Sequence, residues 1–344
     1  MTDIAAPGQA ARRPRSTSTP VGIRVDGDRA LDRSFEEYRR ELTAYSYRML
    51  GSPHEAEDAV QETLLRAWRS FDGFEGRAAL RSWLYKIATN VCLTMLDARK
   101  RRALPMDIGP SASPTSARLG APLGENIWVR PIPDRLAVDP HADPAELAAS
   151  RETIRLAFIA ALQHLPPRQR AVLILRDVPQ WKAAEVADLL GATVVSVNGL
   201  LQRARRTVAS ADLSVGAVPE AGPDADLLAR YVAAFERFDI NALVTLLRED
   251  ATFSMPPFSL WLRGPDSIAA WLVTSPCANT LLVPIAANAS PAFAVYKPAA
   301  SGNYDAYAIQ VLECADSHIA AIHTYLDPSL FEEFDLPATR ERPA

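Results

Sequence analysis

Apolar residues recur every three or four positions through the first hundred residues, a pattern that predicts helices. Ser34 and Glu37 form a capping-box pair ahead of the first apolar stripe. The stretch 51–53, Gly-Ser-Pro, predicts the end of that helix and the start of a second, because serine caps helix starts and proline suits the first turn. A third stripe begins at Leu80. We therefore predict a three-helix bundle over residues 31–102.

Two stretches that flank this bundle lack its periodicity. Residues 1–30 are rich in Ala, Pro, Arg, Ser and Thr, which predicts a disordered tail. Prolines cluster after the bundle, and because they block regular helix and sheet we interpret residues 103–143 as a linker. Residues 127–133, around Trp128, are unusually apolar for a spacer. They indicate either a tether that packs on a neighbouring domain or a functional docking segment.

Helical periodicity returns over residues 144–208, together with the sharpest local pattern in the chain. Ala187, Gly191 and Val197 have the spacing of a helix-turn-helix, which needs a small residue where its helices touch, a glycine in the turn and an apolar residue on the buried side of the second helix. Asn, Gln and Arg side chains on that second helix suit base edges in the major groove. The alternative is a plain helical hairpin with a solvated basic face.

After a second linker at 209–223, the pattern changes from helical to mixed. A helical stripe opens the segment 224–340, and later runs rich in β-branched and aromatic residues predict strands. We therefore predict an α+β domain at the C-terminal end of the chain.

Composition and charge narrow the class of protein. The chain has 344 residues, 48% hydrophobic and 23% charged, which excludes a wholly disordered protein, and no run predicts a membrane span. Three widely spaced cysteines indicate neither a disulfide framework nor a zinc site, so we expect a reducing cytoplasm, no metal and no cofactor. The net charge of −4 combines +5 over residues 151–208 with −10 over residues 211–344. The basic block makes nucleic acid a candidate partner.

The third predicted helix combines aromatic and basic residues. Trp83 and Tyr85 stand beside Lys86, and residues 99–102 are all basic. Such a mixture suits single-stranded DNA, whose bases stack on rings while its phosphates follow the positive charge. The alternative is that both aromatic residues belong to the core of the bundle.

Three long motifs, in order and correctly separated, resemble a known family. Residues 58–68 (DAVQETLLRAW) resemble the core-polymerase-binding helix of bacterial sigma factors, and residues 74–90 resemble their promoter-melting segment. Residues 165–173 (LPPRQRAVL), followed by the helix-turn-helix, resemble their second DNA-binding domain. With only these two sigma domains, the chain resembles the extracytoplasmic-function (ECF) subgroup over about residues 31–208.

The resemblance implies a sigma subunit that binds core RNA polymerase, through its β and β′ subunits, and promoter DNA. The residues that match the clamp-binding stretch are Asp58, Gln61, Glu62 and Arg66. The residues expected to melt and read the −10 element are Arg77, Ser82, Trp83, Lys86, Asn90, Arg99, Lys100 and Arg101. The residues expected to read the −35 element are Lys182, Ser196, Asn198, Gln202, Arg203 and Arg206. The acidic linker would either mimic RNA in the polymerase channel or act as a neutral spacer.

The C-terminal segment resembles the SnoaL-like, or nuclear-transport-factor-like, α+β cone-shaped barrel, most clearly at residues 323–331. The resemblance thus implies a multi-domain chain: two all-α sigma domains and a C-terminal domain that regulates them. One sigma group with this domain carries an Asp-Gly-Gly-Gly-Lys signature that is absent here, so its regulation is not transferred. The rival hypothesis is that this domain is a ligand sensor or an enzyme of the isomerase or hydrolase type. Its available acid-base groups are Asp239, Asp305, His318 and His323.

Overall fold

The computed structural model describes the chain from residue 25 to 342, with gaps. The described ranges are 25–71, 80–97, 101–113, 117–210, 224–274, 278–315 and 317–342, with side chains from residue 35 and except at residue 210. The chain divides into two compact units, Met1–Glu37 and Tyr38–Ala344. Of the described residues, the first unit contains the beginning of the first helix, and the contacts reported below all lie within the second.

The first helical bundle contains three helices, with boundaries set by local capping. Ser52 is extended (φ −144°) and its hydroxyl accepts from the Glu55 N–H, so it caps the second helix as its sequence predicts. The first helix begins earlier than the Ser34 capping box indicates and takes in residues 25–30, which the sequence pattern assigned to the tail. The helices are α1 (Val25–Leu50), α2 (Pro53–Ser70) and α3 (Leu80–Asp97).

The second helical bundle confirms the helix-turn-helix. Gly191 adopts the left-handed conformation (φ 59°) that ends the ninth helix, while Ala187 and Val197 are buried where the two helices meet. Among the described helices none is by itself long and apolar enough to cross a membrane; the ninth and tenth pass that test only as a pair bent by 102°. The helices are α6 (Pro144–Ile154), α7 (Leu156–Gln163), α8 (Pro167–Asp177), α9 (Ala183–Leu190) and α10 (Val194–Ser210).

In its described residues, 103–113 and 117–143, the connecting segment has only short regular elements, in keeping with its prolines. They are α4 (Pro105–Ile108), a 3₁₀ turn (Glu125–Ile127) and α5 (Asp134–Ala137). The segment is nevertheless packed: Trp128, Val129 and Ile132 are buried. Single β-bridges join Ala103 to Trp128 and Pro133 to Ala287, so the segment contacts the C-terminal domain directly.

The C-terminal domain has the α+β architecture that the sequence predicts. Its strands lie in the order β2-β1-β6-β5-β4-β3, with β7 beside β5 and only β1 and β6 parallel. In the described residues this path has two free ends, so the expected barrel is an open sheet. The helices are α11 (Ala225–Glu236), α12 (Ile240–Val244), α13 (Pro265–Thr274) and α14 (Leu330–Glu333). The strands are β1 (Leu247–Ser254), β2 (Trp261–Arg263), β3 (Leu281–Ala287), β4 (Ser290–Pro298), β5 (Tyr304–Ala315), β6 (His318–Tyr325) and β7 (Thr339–Arg340).

The two faces of this sheet differ in chemistry because successive strand residues point to opposite sides. Phe253, Leu312 and Ile322 belong to one face and to the hydrophobic core that includes α11. The register pairs Ser254 with His323, so polar side chains share the opposite face. That polar face is turned towards the connecting segment and the second bundle.

The two helical bundles also contact each other. The rings of Tyr85, on α3, and Trp181, just before α9, lie 4.9 Å apart between centroids. The Arg48 guanidinium, on α1, donates to the Thr153 carbonyl on α6 at 3.2 Å and to its hydroxyl at 2.9 Å. The Arg170 guanidinium, on α8, donates to the carbonyl of Met49.

Candidate functional site

The tenth helix presents one polar face to the surface. Val197, Leu201 and Ala204 are buried on its inner side. The Thr193 hydroxyl, just before the helix, accepts from the Ser196 N–H at 3.1 Å. The helix therefore exposes the residues predicted to read duplex DNA, namely Ser196, Asn198, Gln202, Arg203 and Arg206. Val195, 82% exposed, lies at the start of the same face and was not singled out in the sequence.

The remaining basic residues of this bundle differ in availability. Lys182 is exposed just ahead of α9, where its backbone N–H donates to a Glu185 carboxylate oxygen at 2.6 Å. Arg205 instead donates to Asp177 on α8 at 2.6 Å. Arg205 is thus committed to an intramolecular ion pair, which distinguishes it from Arg203 and Arg206.

The third helix brings together four of the residues predicted to act at the −10 element. Ser82, Lys86 and Asn90 recur at intervals of four, so they share a face, and Lys86 and Asn90 are exposed. Trp83 is half-buried beside Phe71, with ring centroids 6.3 Å apart. Beyond the helix, Arg101 is exposed and shares a hydrogen bond with His164 Nε2 at 3.1 Å. The other predicted residues, Arg77, Arg99 and Lys100, lie outside the described residues.

Tyr85 belongs to the core, in line with the second of the two interpretations that the sequence allows. The ring is 3% exposed, and its hydroxyl donates to Glu41 at 2.9 Å. Burial raises the pKa of the Tyr85 phenol, and the Glu41 carboxylate raises it further. The hydroxyl therefore stays protonated and joins α1 to α3.

The second helix carries the predicted polymerase-binding residues on its outer face. Asp58 and Gln61 are exposed, and Glu62 forms an ion pair with Arg66 at 2.7 Å. Leu65, 50% exposed, lies on the same face, and Trp68, 54% exposed, lies one turn further along. The sequence analysis did not select these two apolar residues, although exposed apolar residues within a matched motif are a usable signal.

The acid-base groups proposed for the C-terminal domain do not converge. Asp239 is exposed and caps α12 by accepting from the Ala242 N–H at 3.0 Å. Asp305 is exposed and bonded to Thr339, and His318 is exposed as well. Only His323 is buried, and it lies on the polar face of the sheet rather than in its apolar core.

His323 is one member of a buried polar cluster. Its Nδ1 shares a hydrogen bond of 2.9 Å with the Ser254 hydroxyl, and its Nε2 lies 3.7 Å from a Glu313 carboxylate oxygen. Glu313 also accepts from the N–H of Ala157, in the first turn of α7. Burial by itself raises the pKa of Glu313, but His323, Arg155 and the Ala157 N–H outweigh it and lower the pKa overall. Sequence inspection missed Ser254 and Glu313 because neither belongs to a local motif.

The turn between β3 and β4 contacts three other parts of the chain through one side chain. Asn288 and Ala289 both have positive φ (53° and 51°), a hairpin geometry that asparagine tolerates well. The Asn288 amide Nδ2 donates to the Tyr47 hydroxyl at 2.8 Å and to the Ile154 carbonyl at 2.7 Å. Its Oδ1 accepts from the Ile132 N–H at 2.9 Å. One buried residue thus joins the first bundle, the connecting segment and the second bundle.

Two family models match the helical parts of the chain. Sigma-70 region 2 matches residues 34–102, and Sigma-70, region 4 matches residues 155–208. The fold and exposed faces define a DNA-binding transcription protein with a helix-turn-helix. The ECF RNA polymerase sigma factor SigG of Mycobacterium tuberculosis is 47% identical over 311 residues, which cover 88% of this chain and 82% of SigG. The chain therefore belongs to the ECF sigma factors, as its motifs predict, and members of this family bind core RNA polymerase and promoter DNA.

Similarity to relatives with known folds extends beyond the two sigma domains. SigJ of Mycobacterium tuberculosis is 27% identical over 245 residues, 70% of this chain and 71% of SigJ. The crystal structure of SigJ superposes with a TM-score of 0.58 at 22% identity and covers 89% of this chain and 100% of the SigJ chain. This superposition supports the predicted fold class, two helical domains followed by a helix-plus-sheet domain.

Proposed function

We propose that this ECF sigma factor directs core RNA polymerase to its promoters and that the C-terminal domain restrains this activity by holding the two helical bundles together. The observation that carries the proposal is the Asn288 turn, whose side chain is hydrogen-bonded to both bundles and to the segment that connects them. Further support comes from Arg130, which ion-pairs with Asp327 at 3.3 Å and Glu333 at 2.9 Å near the end of the C-terminal domain.

The restraint follows from the distance between the two promoter elements. The −10 and −35 elements are centred roughly 25 base pairs apart, which in B-form DNA is about 85 Å. The two reading helices are each only about 25 to 27 Å long. Because Tyr85 and Trp181 are in ring contact, the two bundles must separate before both elements can be read together.

The assignments of single residues belong to the same proposal. Asp58, Gln61, Glu62 and Arg66 would bind the polymerase, joined by Leu65 and Trp68. Ser82, Trp83, Lys86, Asn90 and Arg101, together with Arg77, Arg99 and Lys100, would act at the −10 element. The exposed face of α10 and Lys182 would act at the −35 element. The domain limits are proposed as residues 31–102, 144–208 and 224–340, with linkers between them.

The test removes the Asn288 side chain without disturbing the turn. Glycine accepts positive φ, so Asn288→Gly keeps the hairpin and deletes three hydrogen bonds. Asn279→Gly is the matched control, because Asn279 also has positive φ (60°) but is exposed. We expect Asn288→Gly to raise the initiation rate of reconstituted holoenzyme at an unchanged promoter, and Asn279→Gly to leave it unaltered. Equal rates for wild type and both variants would refute the restraint.

A second candidate, an enzyme in the C-terminal domain, is favoured by the Ser254, His323 and Glu313 cluster alone. A hydroxyl, an imidazole and a carboxylate that lie next to one another in this order are the groups that a hydrolase uses. Against it, Ser254 is fully buried and Glu313 also accepts from the Ala157 N–H of the second bundle. Hydrolysis of a p-nitrophenyl ester by the full chain, lost in His323→Ala, would favour this candidate over regulation by contact.

A further inference from the structure

A cavity of about 310 Å³ lies between the polar face of the C-terminal sheet and the sigma part of the chain. One wall consists of strand residues that include Arg248, Arg263 and His323. The opposite wall consists of Met106 and Asp107 from the connecting segment and of residues on α7. A volume of this size lies at the lower end of the range of small-molecule sites.

Most charged side chains around this cavity have an ion-pair or hydrogen-bond partner, and in the described part of the chain the exception is Arg263. Arg248 donates through two nitrogens to the two carboxylate oxygens of Asp250, both at 3.0 Å. Asp107 lies 2.9 Å from His164 Nε2 and 3.7 Å from Arg101. Glu313 is held by the Ala157 N–H and faces His323. Among the described residues, no ion pair or hydrogen bond engages the guanidinium of Arg263.

Arg263 has a defined place in the cavity wall. The register of β1 and β2 puts it opposite Thr252, on the polar face of the sheet. Its side chain is exposed, so a ligand can reach the guanidinium from solvent. A planar guanidinium pairs with a carboxylate through two parallel hydrogen bonds. Glu313 lies elsewhere in the same wall and repels a second negative charge, which favours a ligand with a single carboxylate.

The rest of the lining suits an apolar body attached to that carboxylate. The connecting segment contributes Leu104 and Met106, and α7 contributes Ala157 and Ala160. Methionine adapts its shape to irregular ligands, and the alanines leave room for them. We infer that the cavity binds a small monocarboxylic acid with an apolar body, whose carboxylate pairs with Arg263 while its body lies against Met106 and α7.

The position of the cavity gives such a ligand a consequence for activity. Its walls belong to both the C-terminal domain and the sigma part, so the complete site exists only while they are in contact. A ligand that binds one state selectively increases the population of that state. The acid therefore stabilises the restrained form and lowers transcription. This coupling rests on the proposed function, whereas the binding site itself does not.

Calorimetric titration of the full chain with three probes of one shape tests the site. The probes are 4-phenylbutyrate, its neutral amide 4-phenylbutanamide and the cation 4-phenylbutylamine. We expect the carboxylate to bind at least about 10-fold more tightly than either analogue, since only it pairs with the guanidinium. Arg263→Gln removes that preference, and Ala320→Phe, in the cavity wall, weakens all binding. Arg230→Gln, which alters an exposed arginine on α11, is the control and leaves binding unchanged.

Two results would overturn the site. One is equal affinity for the three probes or preference for the amine. The other is carboxylate binding that survives both Arg263→Gln and Ala320→Phe, which would place the ligand elsewhere. The coupling is tested separately by transcription with and without 4-phenylbutyrate. If Asn288→Gly raises initiation but the bound acid leaves the wild-type rate unchanged, the coupling is wrong and the restraint stands. If the acid binds while Asn288→Gly has no effect, the restraint is wrong and the site stands.

Discussion

The outer face of α10 and the turn at Asn288 both carry polar side chains, yet they differ in every other respect. On α10, Asn198, Gln202 and Arg203 are exposed. At the turn, Asn288 is fully buried and both ends of its amide are hydrogen-bonded within the chain. The exposed polar groups on α10 keep hydrogen-bonding capacity for another molecule, and we propose that this molecule is DNA. Buried groups with satisfied capacity mark a contact that the chain makes with itself.

The largest expected effect is a loss of stability on substitution of the buried Asn288. Asn288→Asp replaces the Nδ2 donor with a carboxylate oxygen that faces the Ile154 carbonyl, so the buried charge keeps only the Ile132 N–H of the present backbone partners as a donor. We expect the free energy of unfolding to fall by about 3 kcal/mol or more. Urea denaturation of the full chain measures the loss, and Asn279→Asp, at an exposed turn, serves as the control with little change. A loss no greater than that of the control would mean that the Asn288 contacts contribute nothing.

The next effect concerns an exposed apolar residue. Trp68 is exposed in the same motif as the residues that we propose for polymerase binding, and aromatic side chains at the centre of an interface often dominate binding. Trp68→Ala should weaken core polymerase binding by about 2 kcal/mol, or roughly 30-fold. Fluorescence anisotropy with labelled sigma factor measures the affinity. Val273→Ala, at an apolar site on α13 that is 65% exposed, should not change it.

Two arginines on one helix sharpen the comparison further. Arg203 is exposed, whereas Arg205 donates to Asp177. Arg203→Ala should cost about 1–3 kcal/mol at the cognate −35 element and relax preference at one base pair. Arg205→Ala should leave sequence preference intact. Promoter libraries read out by sequencing test both, and a uniform loss across all sequences in Arg203→Ala would assign that residue to the phosphate backbone instead.

The smallest effect is a pH dependence of stability. The pKa of Glu313 is lower in the folded chain than in the unfolded one, because His323 on β6, Arg155 ahead of α7 and the Ala157 N–H outweigh burial. Its stabilising contribution is therefore complete above the unfolded pKa of about 4.3 and is lost as the pH falls through the lower folded value. Denaturation measured between pH 3 and 7 should show a shallower acid loss in Glu313→Gln. The same slope in wild type and variant would contradict the lowered pKa.

Much of this molecule follows from local sequence. The spacing of Ala187, Gly191 and Val197 predicts the helix-turn-helix because the motif needs a small, a left-handed and a buried apolar residue at fixed, short intervals. Ser52 caps α2 for the same reason. The polar face of α10 also follows from helical periodicity once the buried positions are known. The exposed set that we propose for DNA was therefore accessible from the sequence, whereas Val195 on the same face and Trp68 on α2 were overlooked.

Other features depended on residues far apart in the chain. Glu313 became a candidate only when the register of β5 and β6 placed it beside His323 and the fold brought the Ala157 N–H to it. The alternation of strand residues could not indicate which sheet face the sigma part would cover. The closed barrel expected from the resemblance is an open sheet in the described residues, because closure depends on pairing between the first and last strands of the path.

The sequence by itself thus determined most of the long helices, the Ser52 cap and the family, since these depend on contacts within a few residues. Only the tertiary structure decided that Asn288 joins Tyr47 to Ile154, that Tyr85 meets Trp181, and that Arg263 lines a cavity between the C-terminal domain and the sigma part. The physical reason is the distance along the chain over which each interaction acts. Capping and helical periodicity act over one or two turns, whereas the burial of a side chain and the pairing of its hydrogen-bonding groups depend on which distant segment of the chain packs against it.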